Sequence, residues 1–171
     1  MKAITIIQPY ATLIAVGEKG LETRGWPTKH RGELAIHAGM KIDKDACQLP
    51  EIKAALDRHG LTADNLSTGA VVALSYLLEC WKWDEADGVL LRHKPIIEYE
   101  TVGKVSNRLE ISDKEKAFGW FGSGRYAWQL DNVRMLPEPV PAKGQQGLWN
   151  WEPIHFGFQG VRIASDGNGL I

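Results

Sequence analysis

Hydrophobic positions change period several times along this chain, and each change marks an element. Ala3-Ile4-Thr5-Ile6-Ile7 is a short β-branched run that reads as a buried strand, and Gln8-Pro9 then resets the backbone with Pro9 at a first helical position. A helix of about two turns follows, with Tyr10, Leu13, Ile14 and Val16 on its apolar face and Gly17 at its end. Residues 18–26 are polar and 27–30 read as a turn before a strand over 31–38. Ala46, Leu49, Ile52, Ala55 and Leu56 recur near helical spacing, with the helix start placed at Pro50 and its end at Gly60. Residues 69–83 are the longest apolar stretch, and their turn-signal boundaries favour a long central strand.

The second half is weaker in signal. Residues 84–104 are mixed; 112–119 read as a short helix capped by Ser112 or Asp113; 125–130 read as a strand. Residues 133–140 continue extended, and their two prolines confine them to an edge or a strand end. A Gly-bounded loop at 143–147 precedes Leu148-Trp149-Asn150-Trp151, and the tail carries one further candidate strand before a fraying end. The strands and helices do not alternate as βαβ units would. The pattern predicts an α+β fold, a small, partly closed mixed or antiparallel barrel with two or three flanking helices. The expected organisation is one domain over 1–153 with a C-terminal extension over 154–171.

Composition narrows the chemistry. The 171 residues suffice for one domain, and 20 Lys+Arg against 21 Asp+Glu leave a formal charge of −1, so no general positive field draws the chain to a polyanion. Contact with nucleic acid has to rest on a local patch. Two cysteines, Cys47 and Cys80, make no disulfide framework or zinc site; with scattered histidines, no metal or other cofactor is expected. No apolar run approaches the roughly 20 residues of a membrane span, and the chain reads as cytoplasmic. Tryptophan is in excess, with seven Trp against four Tyr and four Phe. Trp81 and Trp83 read as packing residues, Trp26 and Trp128 as stacking candidates, and Trp149 and Trp151 fit either a barrel cap or a cleft wall.

The densest chemistry is Gly17-Glu18-Lys19-Gly20-Leu21-Glu22-Thr23-Arg24-Gly25-Trp26. If the segment from Gly20 is extended, Glu22 and Arg24 share one face and Leu21 and Thr23 the other. A guanidinium beside an indole suits a nucleobase or phosphate, and a carboxylate holds the cation or accepts a base amino group. The alternative is an ordinary ion pair on a solvated strand. Gln8 lies at a helix start, where backbone N–H groups favour anions. His37 closes a strand and reads as a structural histidine or a ligand contact. Arg125 and Tyr126 alternate, so one of them should face a cleft. The Gly122-x-Gly124 turn lacks the third glycine and the helix of a dinucleotide loop.

Ile7-Gln8-Pro9-Tyr10, G-x-K-x-x-E-x-R over 17–24 and R-G-x-L-x-I-H-A over 31–38 closely resemble the ASCH domain family, and Phe118-Gly119 with Gly124-Arg125-Tyr126-Ala127-Trp128 resembles a second block of longer members. The resemblance implies a PUA-like barrel with a cleft lined by the signature and the first helix. It implies binding of RNA or of a modified nucleotide, through Gln8, Pro9, Tyr10, Lys19, Glu22, Arg24, Trp26, His37, Arg125, Tyr126 and Trp128. Some relatives hydrolyse N-acylated cytidine, attributed to a Lys, Thr and Glu set, and others cleave RNA. Lys19 matches the lysine, Glu22 stands at the threonine position, and Glu115 is the candidate second carboxylate. With a glutamate beside it, Lys19 is expected to stay protonated and act as a ligand-binding cation.

Overall fold

A computed structural model describes residues 1–92 and 106–152. The chain runs β1 (Lys2–Gln8), α1 (Tyr10–Ala15), β2 (Leu21–Arg24), β3 (Gly32–Ile42), a 3-10 turn (Ala46–Gln48), α2 (Pro50–Arg58), β4 (Ala70–Asp84), β5 (Val89–Arg92), β6 (Arg108–Leu109), α3 (Asp113–Phe118), β7 (Tyr126–Pro141) and β8 (Leu148–Asn150). The α+β class and the central role of the long apolar strand are as the pattern predicts. The expected extension at 154–171 lies outside the described residues.

The strands form one mixed sheet in the order β2-β7-β4-β3-β1-β8, with β5 and β6 attached to β4. Among the described residues only β1 and β3 pair in parallel, and α1 and β2 lie in the connection between them. The 15 residues of β4 overshoot β3, whose pairing ends at Leu77; β5 takes over that side from Trp81 to Asp84. This is why residues of weak pattern form strands: the overhang of β4 supplies a hydrogen-bonding edge that a short segment can satisfy. The proline-rich end of β7 pairs only with β4, as an edge location requires.

Among the described residues the sheet does not close on itself, where a partly closed, PUA-like barrel was expected. Closure would bring β8 against the outer edge of β2, but side chains occupy that edge. Glu115 accepts from the backbone N–H groups of Gly20 and Leu21, Lys19 donates to the Leu21 carbonyl, and Arg125 donates to the Thr23 carbonyl. A strand cannot pair with groups already satisfied.

Alternation along β1 and β3 sends residues to two cores. Ile4, Ile6, Leu34 and Ile36 pack with Ile14 of α1 and Trp128 on one face; Ala3, Ala35 and Val71 lie beneath Trp149 and Trp151 on the other. Each fully buried Leu or Ile stabilises the fold by about 1.5–3 kcal/mol. A third cluster joins Leu13 to Ile52, Ala55, Leu56 and Phe118, locking α2 and α3 against α1, with Cys47 buried among them. A fourth holds Leu21 with Trp81, Leu90 and Ala127. The segment after α1 is thereby fixed between two helices and the sheet.

Candidate functional site

The geometry starts at Gly17. Its φ of +77° makes it the left-handed residue of a helix cap in which its own N–H donates to Ile14 O and Glu18 N donates to Leu13 O, both at 2.9 Å. The same Leu13 carbonyl accepts Lys19 N at 3.1 Å, so the chain reverses and Lys19 enters the interior. Glu18 points outward and fastens the helices: Arg58 donates to it at 2.9 and 3.2 Å, His59 Nε2 lies at 3.0 Å and Lys114 Nζ at 2.6 Å. Hydrogen bonds from Arg58 and Lys114 hold the Glu18 carboxyl down at about 2.

Lys19 is 1% exposed. Its ammonium donates to Leu21 O and lies 3.8 Å from Glu22 Oε2. Burial pushes its pKa below the ordinary lysine value, against the opposing pull of Glu22 and Glu115. The head group is turned inward onto Leu21 O and Glu22, closed off from solvent, where a ligand-facing cation was expected. Glu115 reaches this place because Ser112 caps α3, accepting from Glu115 N at 3.2 Å. The position favours a glutamate that reaches back to its own cap, but this carboxylate crosses instead to the N–H groups of Gly20 and Leu21.

Alternation on β2 puts Glu22 and Arg24 on one face, as the pattern predicts. Arg24 Nε stands 3.1 Å from Glu22 Oε1, and an Nη donates to Thr5 O at 2.9 Å, spanning from β2 to β1. The Arg24 side chain retains 22% exposure against 10% for Glu22, so the guanidinium is the more accessible partner. Tyr10 of α1 borders the pair; burial raises its phenol pKa first, then the charges of Asp43 and Glu22. Trp26, two residues beyond Arg24, is half-buried and packs against the core that holds Trp128. Tyr126 lies across from Arg24 in the β2–β7 register. Arg125 feels both Glu22 and Arg24, and burial lowers its pKa.

Other sequence candidates have different places. Trp128 is 0% exposed and meets Trp26 edge-on, with centroids 4.6 Å apart at 87°, so its ring is a wall of the core and offers no face to stack on. Gln8 is fully buried and internally satisfied: its amide nitrogen donates to Thr12 Oγ1 at 2.7 Å and Ser67 O at 2.6 Å, while its oxygen accepts Thr12 N at 3.0 Å. Pro9 is the buried N-cap of α1, one residue before the first helical position expected of it. His37 lies on the opposite sheet face, edge-on to Trp149 at 5.6 Å and donating through Nε2 to Ala142 O at 3.0 Å. Gln8 is thus buried with each of its polar atoms partnered, whereas His37 leaves its buried Nδ1 without a partner among the described residues.

Two surface cavities, one beside Ser75, Tyr76 and Arg134 and the other beside Lys2, His30 and Asn150, include none of the signature residues. Among the described residues, no three His, Cys, Asp or Glu side chains group as a metal site, and no helix is long and apolar enough to cross a membrane. Trp120, which carried no sequence signal, lies beside β2: its backbone N–H donates to Thr23 Oγ1 at 3.1 Å, and its indole lies under Arg125.

A strand that pairs a carboxylate with a guanidinium, entered through a helix cap that inserts a lysine, is the geometry of the signature segment. The ASCH domain family model matches residues 4–131, and the chain belongs to that family. The ASCH domain is a PUA-like domain associated with RNA binding. No curated protein matches the chain significantly.

Proposed function

We propose that the chain binds a nucleotide of single-stranded RNA, or a modified nucleotide, at the cluster of Tyr10, Glu22, Arg24 and Trp26. The carrying observation is the Glu22–Arg24 pair, 3.1 Å apart and open on the guanidinium side, next to a half-buried indole. Arg24 donates to a base carbonyl or phosphate, Glu22 orients Arg24 and accepts from an exocyclic amino group, and Trp26 or Tyr10 covers the base plane. Lys19 supplies the counter-charge beneath Glu22 without touching the ligand. Titration of pooled nucleoside monophosphates and short single-stranded RNA at low salt tests this reading. Binding that weakens in Arg24→Ala and Glu22→Gln is expected; a wild-type protein that binds neither probe refutes it.

The buried Lys19 favours a second reading, hydrolysis of N-acylated cytidine. The amine, 3.8 Å from Glu22 and lowered in pKa, takes a proton from a water that adds to the amide carbon, and the ammonium so formed returns that proton to the cytosine N4 as the C–N bond breaks, yielding cytidine and the carboxylic acid. Release of cytidine from N4-acetylcytidine, lost in Lys19→Ala and kept in Lys2→Ala, would establish it. No turnover by folded wild-type protein would leave binding alone.

A further inference from the structure

Trp120 is 71% exposed, the largest exposed aromatic surface among the described residues. An exposed indole is common on protein surfaces and means little alone. This one sits on a pinned backbone and carries a cation. The Trp120 backbone N–H donates to Thr23 Oγ1 at 3.1 Å and its backbone carbonyl accepts from Arg125 Nε at 3.3 Å, while the Arg125 guanidinium lies over the ring, 4.5 Å from the centroid. A second Arg125 nitrogen donates to Thr23 O at 3.3 Å. Thr23 sits between Glu22 and Arg24, so the Trp120 backbone and the Arg125 side chain are both tied to the strand that carries the cluster.

The Arg125 guanidinium is near enough to Glu22 and Arg24 to feel both charges, and a Cβ at Gly25 would meet its Nη1 at an ordinary contact distance of 3.5 Å. Alternation directs Thr23 away from the Glu22 face, so Trp120 is anchored outside that face and Arg125 joins the two. A ring with a cation on one face and solvent on the other presents a flat surface of known chemistry. Bases stack on such a ring with little sequence preference, and the adjacent arginine suits the phosphate that links one nucleotide to the next.

We propose that Trp120 and Arg125 form a second base-stacking platform, which takes the nucleotide adjoining the one bound at Glu22 and Arg24 in single-stranded RNA. The proposal rests on the nucleotide-binding reading above. It implies that an oligonucleotide binds more tightly than a mononucleotide, by the stack gained at Trp120.

The test compares fluorescein-labelled random single-stranded RNA octamers, read by anisotropy, with nucleoside monophosphates, read by calorimetry. Trp120→Ala should weaken octamer binding about 5- to 150-fold, one base stack converted at tenfold per 1.4 kcal/mol, and leave mononucleotide binding unchanged. Trp120→Phe, which keeps a ring, should retain most of the octamer affinity. Octamer affinity unchanged in Trp120→Ala overturns the platform, as does an equal loss for mononucleotide and octamer or an equal loss in the Phe and Ala variants. Wild-type protein that binds neither probe overturns both readings. Octamer binding that survives Arg24→Ala but is lost in Trp120→Ala supports the platform and refutes only the inner site.

Discussion

Lys19 Nζ and Glu22 Oε2 stand 3.8 Å apart, with the lysine closed off from solvent and its remaining contact the Leu21 carbonyl. Glu22 is therefore flanked by two cations, one inside and one, Arg24, at the surface. The inner cation carries the desolvation cost, and the outer one remains available to a ligand. The signature thus joins a structural half to a recognition half across a single carboxylate.

The buried lysine sets an alkaline limb. Its folded pKa lies below the ordinary 10.5, so between those two values the unfolded chain holds the extra proton. Wild-type stability should rise with pH through that window and level off above about 10.5, where both states are neutral. Lys19→Met lacks the titrating group, so urea midpoints from pH 7 to 11 should show the wild type gaining on the variant. A falling difference would contradict the desolvated site.

Glu18 behaves oppositely in acid. Its carboxyl is held at about 2 against an ordinary 4.5, so its contribution is complete above 4.5 and is lost as the pH falls towards 2. Because Arg58 and Lys114 are half exposed, solvent screens the pairs, and Glu18→Gln should cost about 1–2 kcal/mol at neutral pH. Denaturation at pH 7 and pH 2 should show the variant weaker at the first and equal to wild type at the second.

Gly144 marks how tightly the 142–147 loop lies over the sheet. A Cβ there would fall 2.6 Å from His37 Cε1 and 2.9 Å from Thr5 Oγ1, inside a packed layer that also holds Trp149. Gly144→Ala should cost about 1–3 kcal/mol, a drop of several degrees in Tm for a chain of this size. At Gly147 a Cβ meets nothing, but φ is +69°, so Gly147→Ala should cost only about 1 kcal/mol for backbone strain. Equal melting temperatures for the two variants would count against the packed loop.

Salt dependence separates a local site from a basic face. The cations within reach of a strand at the site are Arg24 and Arg125, so log K against log salt should slope at about −1 to −2 for single-stranded RNA. A slope of −4 or steeper would require phosphate contacts well beyond these two residues.

Periodicity carried the fold where burial is one-sided or complete. The β-branched run at 3–7, the apolar stretch of β4 and the Pro50 helix start all appear where their patterns place them. The strands β5 and β6 had no pattern of their own; their pairing partner is the overhang of β4, which no local window contains. Spacing also put Glu22 and Arg24 on one face, because strand alternation is a local rule. It could not show that Trp128 is sealed beneath Trp26, nor that Glu115 arrives from 95 residues away to satisfy two N–H groups beside Lys19.

By itself, then, the sequence determined the family, the α+β class and the residue types of the site, since short-range sterics and side-chain period decide those. Tertiary structure alone decided which way the charges face. Lysine 19 turns inward because the Gly17 cap aims it at the Leu21 carbonyl, and only packing by α2, α3 and the sheet removes the water that would otherwise keep it an ordinary cation. The open sheet has the same origin: the edge of β2 is filled by side chains from neighbouring and distant segments, and no reading of β2 alone reveals that its hydrogen bonds are already made.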